Sequence, residues 1–505
     1  MRSPDLAGTA QRRNKRSNDA HMEETMSDSP RKDVHVPEIS NLPDGAAGKG
    51  PRGRSIASTR RQFLAGAAVV GAASAIGFPA IHVKAATTGP VKFGLLEDQS
   101  GNFALFGLPK LHATQLAIKE INDGLTLLSG PTGPGGTGKG DAYSELVDVL
   151  VQSNDKGILG REVKLISPDP QSEPRMYQQL TKRLGLQDEV DVIMGAFASA
   201  NREAMRPVID QMKKMYWYNN QYEGGVADKY TFCTGAVAEQ QIIPAMQYCI
   251  SKFGKRIYIP AADYNFGQLS AMWTRAMAPL LGGEVVGQEF IPLSVSDFTS
   301  TIARIEQAKA DWLMMYITGQ NHANFYPQAN AAGLKRPMGS SINLAQGYEH
   351  KRFAPPALAG MNVAVSYMEE IPTPRNQAFV KRFRAMFPDE PYIQQEAHSA
   401  YVATHLYAIA CRLAKTTEQG AVMEALESGI GLEAPAGWMF MDPATHHMSQ
   451  HIRMASCDEK HNITFVQEWP SIEPWWTRRL GVNLVKTAEF KQYTPADDPA
   501  FKKFL

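Results

Sequence analysis

From Val91 onward, short apolar runs alternate with stretches whose apolar residues recur at helical spacing, and this alternation predicts repeated strand-helix units. Residues 91–96 (VKFGLL) read as the first strand. Residues 109–121 read as a helix, because Leu111, Leu116, Ala117 and Ile118 fall on one face. The same reading gives strands at 163–166, 190–194, 257–260, 312–317 and 361–365, and helices at 176–184, 269–281, 298–309, 376–386 and 396–414. Gly and Pro stand at nearly every junction, as tight strand-to-helix turns require. Toward the end the pattern turns to β character, with 438–442, 451–454 and 463–469 alternating or running apolar around polar turns. The fold class predicted is α/β, built on doubly wound parallel sheets. Residues 129–141 (SGPTGPGGTGKGD) break the rhythm and are expected to form a flexible surface excursion.

The first 60 residues are rich in Arg, Lys, Asp, Ser, Gly and Pro and nearly free of aromatics, so they bury too little apolar surface to offset the entropy of ordering. Residues 1–57 are therefore expected to be a disordered extension, within which Met22 and Met26 are alternative starts. Ser58-Thr59-Arg60-Arg61-Gln62-Phe63-Leu64 is a twin-arginine pattern, followed by an Ala/Gly-rich stretch to Ile81 and a small-residue cleavage site at Val83-Lys84-Ala85. Residues 58–85 thus resemble a Tat export signal. Glycines and prolines interrupt the apolar stretch, which falls short of the roughly 20 apolar residues of a membrane span. The mature chain is expected in an oxidising, ATP-free compartment, the periplasm, without a membrane span of its own.

Composition narrows the choices further. A chain of 505 residues implies two or three domains. Its 52 basic and 51 acidic residues leave a net charge of +1, so no global field draws it to nucleic acid or anionic lipid. Four cysteines are too few for a disulfide framework and none falls in a CxxC spacing, although export would permit a bridge between Cys233 and Cys249.

Candidate chemistry is sparse. Gly133 to Gly140 nearly matches the phosphate-cradling GxxxxGK[ST] pattern, but Gly140 replaces the hydroxyl residue that would ligate magnesium. His446, His447, His451, Cys457 and His461 suggest metal ligands. Yet residues four apart in turn and strand are about 13 Å apart, and polar turn histidines are the better reading. Neither GxSxG nor HExxH occurs. Gly195 to Glu203 (GAFASANRE) carries a strand into a helix starting behind Ser199. A capping serine there would leave backbone N–H groups facing outward for a carboxylate or amide oxygen, with plain capping as the other reading. Tyr218-Asn219-Asn220-Gln221 ends another strand with amides among aromatics, suited to a small-molecule pocket or an Asn-rich turn. Asp263-Tyr264-Asn265 repeats the arrangement after the strand at 257–260.

These loops resemble those of the type I periplasmic binding proteins, in the branch of urea and short-chain amide binders and Leu/Ile/Val binders. The similarity spans residues 91–476 and rests on GAFASANREAMRPVID (195–210), WYNNQYEGG (217–225), EQQIIPAMQY (239–248), ADYNFG (262–267), the long segment 282–313 with its IPLSVSDF, and APAGWMFMDPATHHMSQHIR (434–453). The resemblance implies two lobes joined by three crossover strands, closing on a ligand by a hinge. It places lobe 1 at 86–235 and 368–434, lobe 2 at 236–367 and 435–476, and a C-terminal tail at 477–505. It implies ligand-binding roles for Ala198, Ser199, Tyr218, Asn219, Asn220, Gln221, Asp263 and Tyr264, with Thr318, Gly319 and Gln320 contributing from lobe 2. Asn220 replaces the family's usual threonine, and Asn219 and Gln221 replace prolines of the amide binders, which adds amide donors and acceptors. The function implied is non-catalytic capture of a small polar solute, urea, a short amide or an amino acid, for an ABC permease, with no cofactor and no metal. An amide-sensing regulator on the same fold and a Tat-exported enzyme are the alternatives.

Overall fold

In the computed structural model, residues 89–130, 146–334 and 337–505 are described. The predicted extension, the export signal and the segment Gly133 to Gly140 lie outside them.

Apolar runs buried on both faces make parallel strands, and the chain uses them twice. The first sheet has the order Val163–Ile166, Val91–Leu96, Val192–Gly195, Tyr216–Tyr218, Thr231–Cys233, all parallel. In the second, Glu284–Ile291, Arg256–Ala262, Trp312–Met315, Met338–Ser340 and Met361–Val365 run parallel in the same order relative to the chain. Antiparallel strands Met448–Cys457, Gly437–Met441 and Ile430–Ala434 then extend that sheet, and Ile463–Ile472 pairs with Met448–Cys457. Both halves have their first strand second from the edge, so strand order reverses beside it and leaves a crevice at the carboxyl ends.

Three passages join the halves. The helix Ala238–Phe253 follows Thr231–Cys233 and packs on the second sheet. Pro374–Met386 returns after Met361–Val365 to pack on Ala104–Asn122, and Ile430–Ala434, Gly437–Met441 and Met448–Cys457 make the third passage. The first lobe's core holds Phe93, Trp217, Tyr401 and Leu406 together with Leu432 and Met441 of these connecting strands. The second is built on Leu313, Met315, Phe325 and Val363.

Several elements differ from expectation for identifiable reasons. The helix predicted from residue 109 begins at Ala104, with Pro109 inside it. Proline lacks an N–H and so leaves the Leu105 carbonyl without its helical partner; the Gln394 amide donates to that carbonyl at 3.0 Å. Ser129 and Gly130, expected at the start of a flexible excursion, form a short strand against Gly431 and Leu432; residues 131–145 lie outside the described set. All four cysteines are free and buried, so Cys233 and Cys249 are not bridged. Each of the suspected metal ligands is a joint of the fold instead. His446 stacks on Phe232 at 4.1 Å, the His447 ring meets the Tyr222 hydroxyl at 2.5 Å, His451 pairs with Glu468, and His461 accepts from the Leu358 amide. Three of them, His446, His447 and His461, are buried rather than lying in solvated turns. Among the described residues no helix is long and apolar enough to cross a membrane, and no group of three or more His, Cys, Asp or Glu could hold a metal.

Each lobe seats its first helix on the end of its first strand through a glycine. A Cβ on Gly107 would lie 2.1 Å from the Asp98 carbonyl oxygen, and one on Gly267 2.0 Å from that of Ala262. Backbone cannot yield as a flexible side chain can, so Gly107→Ala and Gly267→Ala are each expected to cost about 1–3 kcal/mol of stability. Urea unfolding should show this as a lowered midpoint with an unchanged slope; a midpoint within error of the parent would contradict the close approach.

Candidate functional site

Five parallel strands end around one tight cavity, lined by Phe197, Ala198, Ser199, Asn220, Gln221, Tyr264, Phe266, Thr318, Ile342 and Gln346. Each follows a strand: 197–199 come after Val192–Gly195, 220–221 after Tyr216–Tyr218, 264–266 after Arg256–Ala262, 318 after Trp312–Met315, and 342–346 after Met338–Ser340. A larger cavity of about 790 Å³, lined by Leu105, Leu108, His112, Met386, Phe387 and Pro391 among others, is mostly apolar and shares no residue with it.

Ser199 is the first residue of the helix Ser199–Met212, with Ala198 in the extended conformation before it and no side-chain cap. The capping expectation is thereby corrected, because a buried carboxylate takes the hydroxyl. Ser199 Oγ donates to Glu223 Oε2 at 2.7 Å, and Arg202 holds Glu223 Oε1 at 2.9 Å through Nη2. Arg202 is wholly buried, its guanidinium 4.9 Å from the Tyr218 ring centroid and 4.5 Å from that of Tyr222. A charge removed from water at such cost persists only when paired, and Arg202 is paired with both Glu223 and, at 2.8 Å, Glu203.

Asn220 and Gln221 face the cavity. Asn220 Nδ2 donates to the Gln221 carbonyl at 3.1 Å, whereas Asn220 Oδ1 and Gln221 Oε1 are buried with no hydrogen-bond partner among the described residues. Across from them Thr318 Oγ1 is likewise buried with no hydrogen-bond partner among the described residues, and burial pushes the pKa of the nearby Tyr264 phenol up. Phe197 closes the apolar side, stacked on Phe106 at 4.3 Å.

The other predicted residues stand away from the cavity. Strand side chains alternate, so Tyr216 and Tyr218 share a face and donate to the carbonyls of Gly195 and Phe197, each at 2.9 Å. Tyr218 therefore props the turn before Ser199 from behind. Asn219 is buried and accepts from Thr234. Asp263 is exposed and bonded to Gln268, and Gln320 is exposed at the start of Gln320–Ala331.

Residues that sequence reasoning passed over complete the site. Lys110 pairs with Glu97 at 2.8 Å and donates to the Ala196 carbonyl at 2.8 Å, pinning the strand end from below; charges directly after the first strand and inside an apolar helix face were the available signal. Gln346 donates to Glu396 at 3.0 Å, linking a loop of the second sheet to the helix Gln395–Ala414 of the first lobe. Nothing local marks that pair. Burial pushes the Glu396 carboxyl up to about 8, and its Oε2 has no hydrogen-bond partner among the described residues.

With this geometry, similarity to known proteins falls into place. A family model described as periplasmic binding protein matches residues 90–462, and the chain belongs to that family. Leu/Ile/Val-binding protein homolog 6 of Brucella melitensis biotype 1 is 23% identical over 338 residues, 65% of this chain and 85% of the relative. Among solved structures, the solute binding protein of an ABC transporter from Rhodopseudomonas palustris BisB5, in complex with 3,4-dihydroxy benzoic acid, superposes with a TM-score of 0.61 at 20% identity, covering 76% of this chain and 97% of the other. LivJ from Streptococcus pneumoniae, in complex with isoleucine, gives 0.60 at 18% identity, covering 76% and 100%. The fold is thus that of the type I periplasmic binding proteins, a family of ABC-transporter solute-binding proteins that hand small molecules to permeases.

Buried acids give the site a pH signature. Glu396 and Glu239, held at about 8 and about 7 by burial, keep protons in the folded chain that they release near 4.5 when unfolded. Their contribution to stability is complete below that ordinary value and is lost as pH rises through the folded ones. His398 and His447, lowered by burial to about 3 and about 4, act oppositely but only below their ordinary 6.5. Between pH 6.5 and 8 stability is therefore expected to fall, by up to about 1.4 kcal/mol per pH unit per acid. Glu396→Gln should flatten the fall in urea titrations; a midpoint that rises with pH in wild type would contradict the assignment.

Proposed function

We propose that this chain is the extracytoplasmic component of an ABC transporter that captures a small polar solute bearing N–H donors, urea, a short-chain amide or an amino acid, and releases it unchanged. The observation that carries the reading is the pair of buried acceptors, Asn220 Oδ1 and Gln221 Oε1, without partners in a cavity where five strand ends converge. A buried acceptor left unpaired is costly, and a ligand N–H removes that cost. The first N–H groups of Ser199–Met212 offer the complementary donors for the solute's carbonyl or carboxylate. Closure of the lobes brings the second sheet's contributors, Tyr264, Thr318 and Gln346, against those of the first. The twin arginines at Arg60 and Arg61 support export by the Tat pathway to the periplasm.

A second reading, capture of an aromatic carboxylate, draws on the rings of Phe197, Tyr264 and Phe266 and on the benzoate-type molecule bound by the similar Rhodopseudomonas palustris protein.

A thermal-shift and calorimetry panel of urea, acetamide, isoleucine, leucine, benzoate and 4-hydroxybenzoate separates the two. Solutes with N–H donors are expected to stabilise the protein and to be recovered unchanged, and Ser199→Ala to weaken their binding by about 1–3 kcal/mol without loss of fold. Stabilisation confined to the benzoates would favour the second reading. Chemical conversion of a bound solute would overturn both.

A further inference from the structure

The family match ends at residue 462, yet the chain continues to 505 and much of that length is folded against the candidate site. Phe490–Gln492 forms an antiparallel pair with Val226–Asp228, directly after the loop that carries Asn220 and Gln221. In register with Val226, Gln492 turns its amide inward: Nε2 donates to Glu223 Oε1 at 2.7 Å and to the Gly224 carbonyl at 3.2 Å. One residue on, the Tyr493 amide donates to the Gly225 carbonyl at 2.7 Å. The approach is so close that a Cβ on Gly225 would lie 2.0 Å from the Tyr493 carbonyl oxygen, and Gly225 has a φ of +87°.

The same segment holds the second lobe. Trp273, on Asn265–Met277, is packed by Trp476 at 4.6 Å and Phe501 at 5.6 Å between ring centroids. The Trp476 amide donates to Glu239 Oε1 at 3.0 Å, at the first turn of Ala238–Phe253. Trp273 in turn donates from its indole to the Glu223 carbonyl at 2.9 Å. Glu223 is thus gripped on its carboxylate by Ser199, Arg202 and Gln492 and on its backbone by a residue of the other lobe.

We propose that residues 475–502 form a strap joining the two lobes, and that Gln492 is a positioning residue of the solute site. Through Glu223 it fixes the Ser199 hydroxyl and the loop bearing Asn220 and Gln221. The inference rests on the cavity reading for what is positioned, while the strap itself stands on contacts that need no solute. A grip on both lobes that meets at one residue, on its carboxylate from the first lobe and the strap and on its backbone carbonyl from the second, transmits lobe movement to the residues facing the cavity, since Trp273 moves with the second lobe and Ser199 with the first.

Hydrogen exchange on the full-length, solute-free protein tests the proposal. In Gln492→Ala, peptides covering 199–204 and 219–226 are expected to exchange about tenfold faster, with strands Val91–Leu96 and Trp312–Met315 unchanged. Gln492→Glu keeps the side chain's shape and sets a second carboxylate against Glu223, so it should loosen the same peptides even where the shorter side chain perturbs the strand. After correction for intrinsic exchange, protection in Gln492→Glu should recover as pH falls toward about 5, where one of the two facing carboxylates takes up a proton and can donate to the other, and should stay lost in Gln492→Ala. Unchanged exchange at 219–226 in both variants, or the same pH dependence in both, would overturn the assignment. Should the solute panel fail while exchange responds as stated, the solute reading falls and the strap stands.

Discussion

A single buried ion pair organises this protein's candidate site. Arg202 and Glu223 are both out of water, and the Glu223 charge is tolerable there because Arg202, which also pairs with Glu203, meets it. Their pairing fixes more than themselves. Glu223 orients Ser199, Arg202 lies over the rings of both Tyr218 and Tyr222, and the loop between Tyr218 and Glu223 is held along the cavity wall. The next turn of the same helix repeats the arrangement, with Arg206 held by Glu203 and Asp228. One helix face therefore welds two successive segments of the chain to the sheet end, and among the polar atoms left without a partner Asn220 Oδ1 and Gln221 Oε1 belong to residues lining the cavity.

Rigidity on one side and breakable contacts on the other suit a protein that closes on a solute. Within the first lobe the wall is set by ion pairs and by tyrosine hydroxyls on carbonyls, interactions that survive whether or not the lobes meet. Between lobes the contacts beside the cavity include polar ones, Gln346 to Glu396, the Gln395 amide to the Ala345 carbonyl, and the Trp273 indole to the Glu223 carbonyl, together with aromatic packing such as Tyr348 on Tyr392. Hydrogen bonds exposed to water on opening lose little net free energy, about 1 kcal/mol each. On the proposed function, contacts of this kind would let a solute decide the balance between open and closed forms.

How much of this was legible in the sequence follows from the range of the interactions involved. Strands such as Val91–Leu96, Trp312–Met315 and Met361–Val365 announce themselves because a strand buried on both faces needs an apolar run, and the loops after them could be located at once. Ser199, Asn220, Gln221, Tyr264 and Thr318 meet at one cavity for that reason. Tyr218 and Asn219 were placed in the same group by adjacency, but the two-residue period of the strand turns Tyr218 to the helix side, behind Phe197. Contacts between distant segments left no local trace: Gln394 satisfying the Leu105 carbonyl beside Pro109, Glu396 beneath Gln346, and Gln492 on Glu223. The serine was read as a cap because Ser so often is one, and only the fold reveals that a carboxylate 24 residues further along has taken its hydroxyl.

On the proposed function the site selects a solute by its N–H groups, and calorimetric titration with matched pairs that differ in that feature is the sharpest test: acetamide against acetate, benzamide against benzoate, and isoleucine against its 2-hydroxy analogue. The N–H member of at least one pair is expected to bind about tenfold or more tightly than its partner. Binding in which the N–H-free partners match or exceed the others would contradict it.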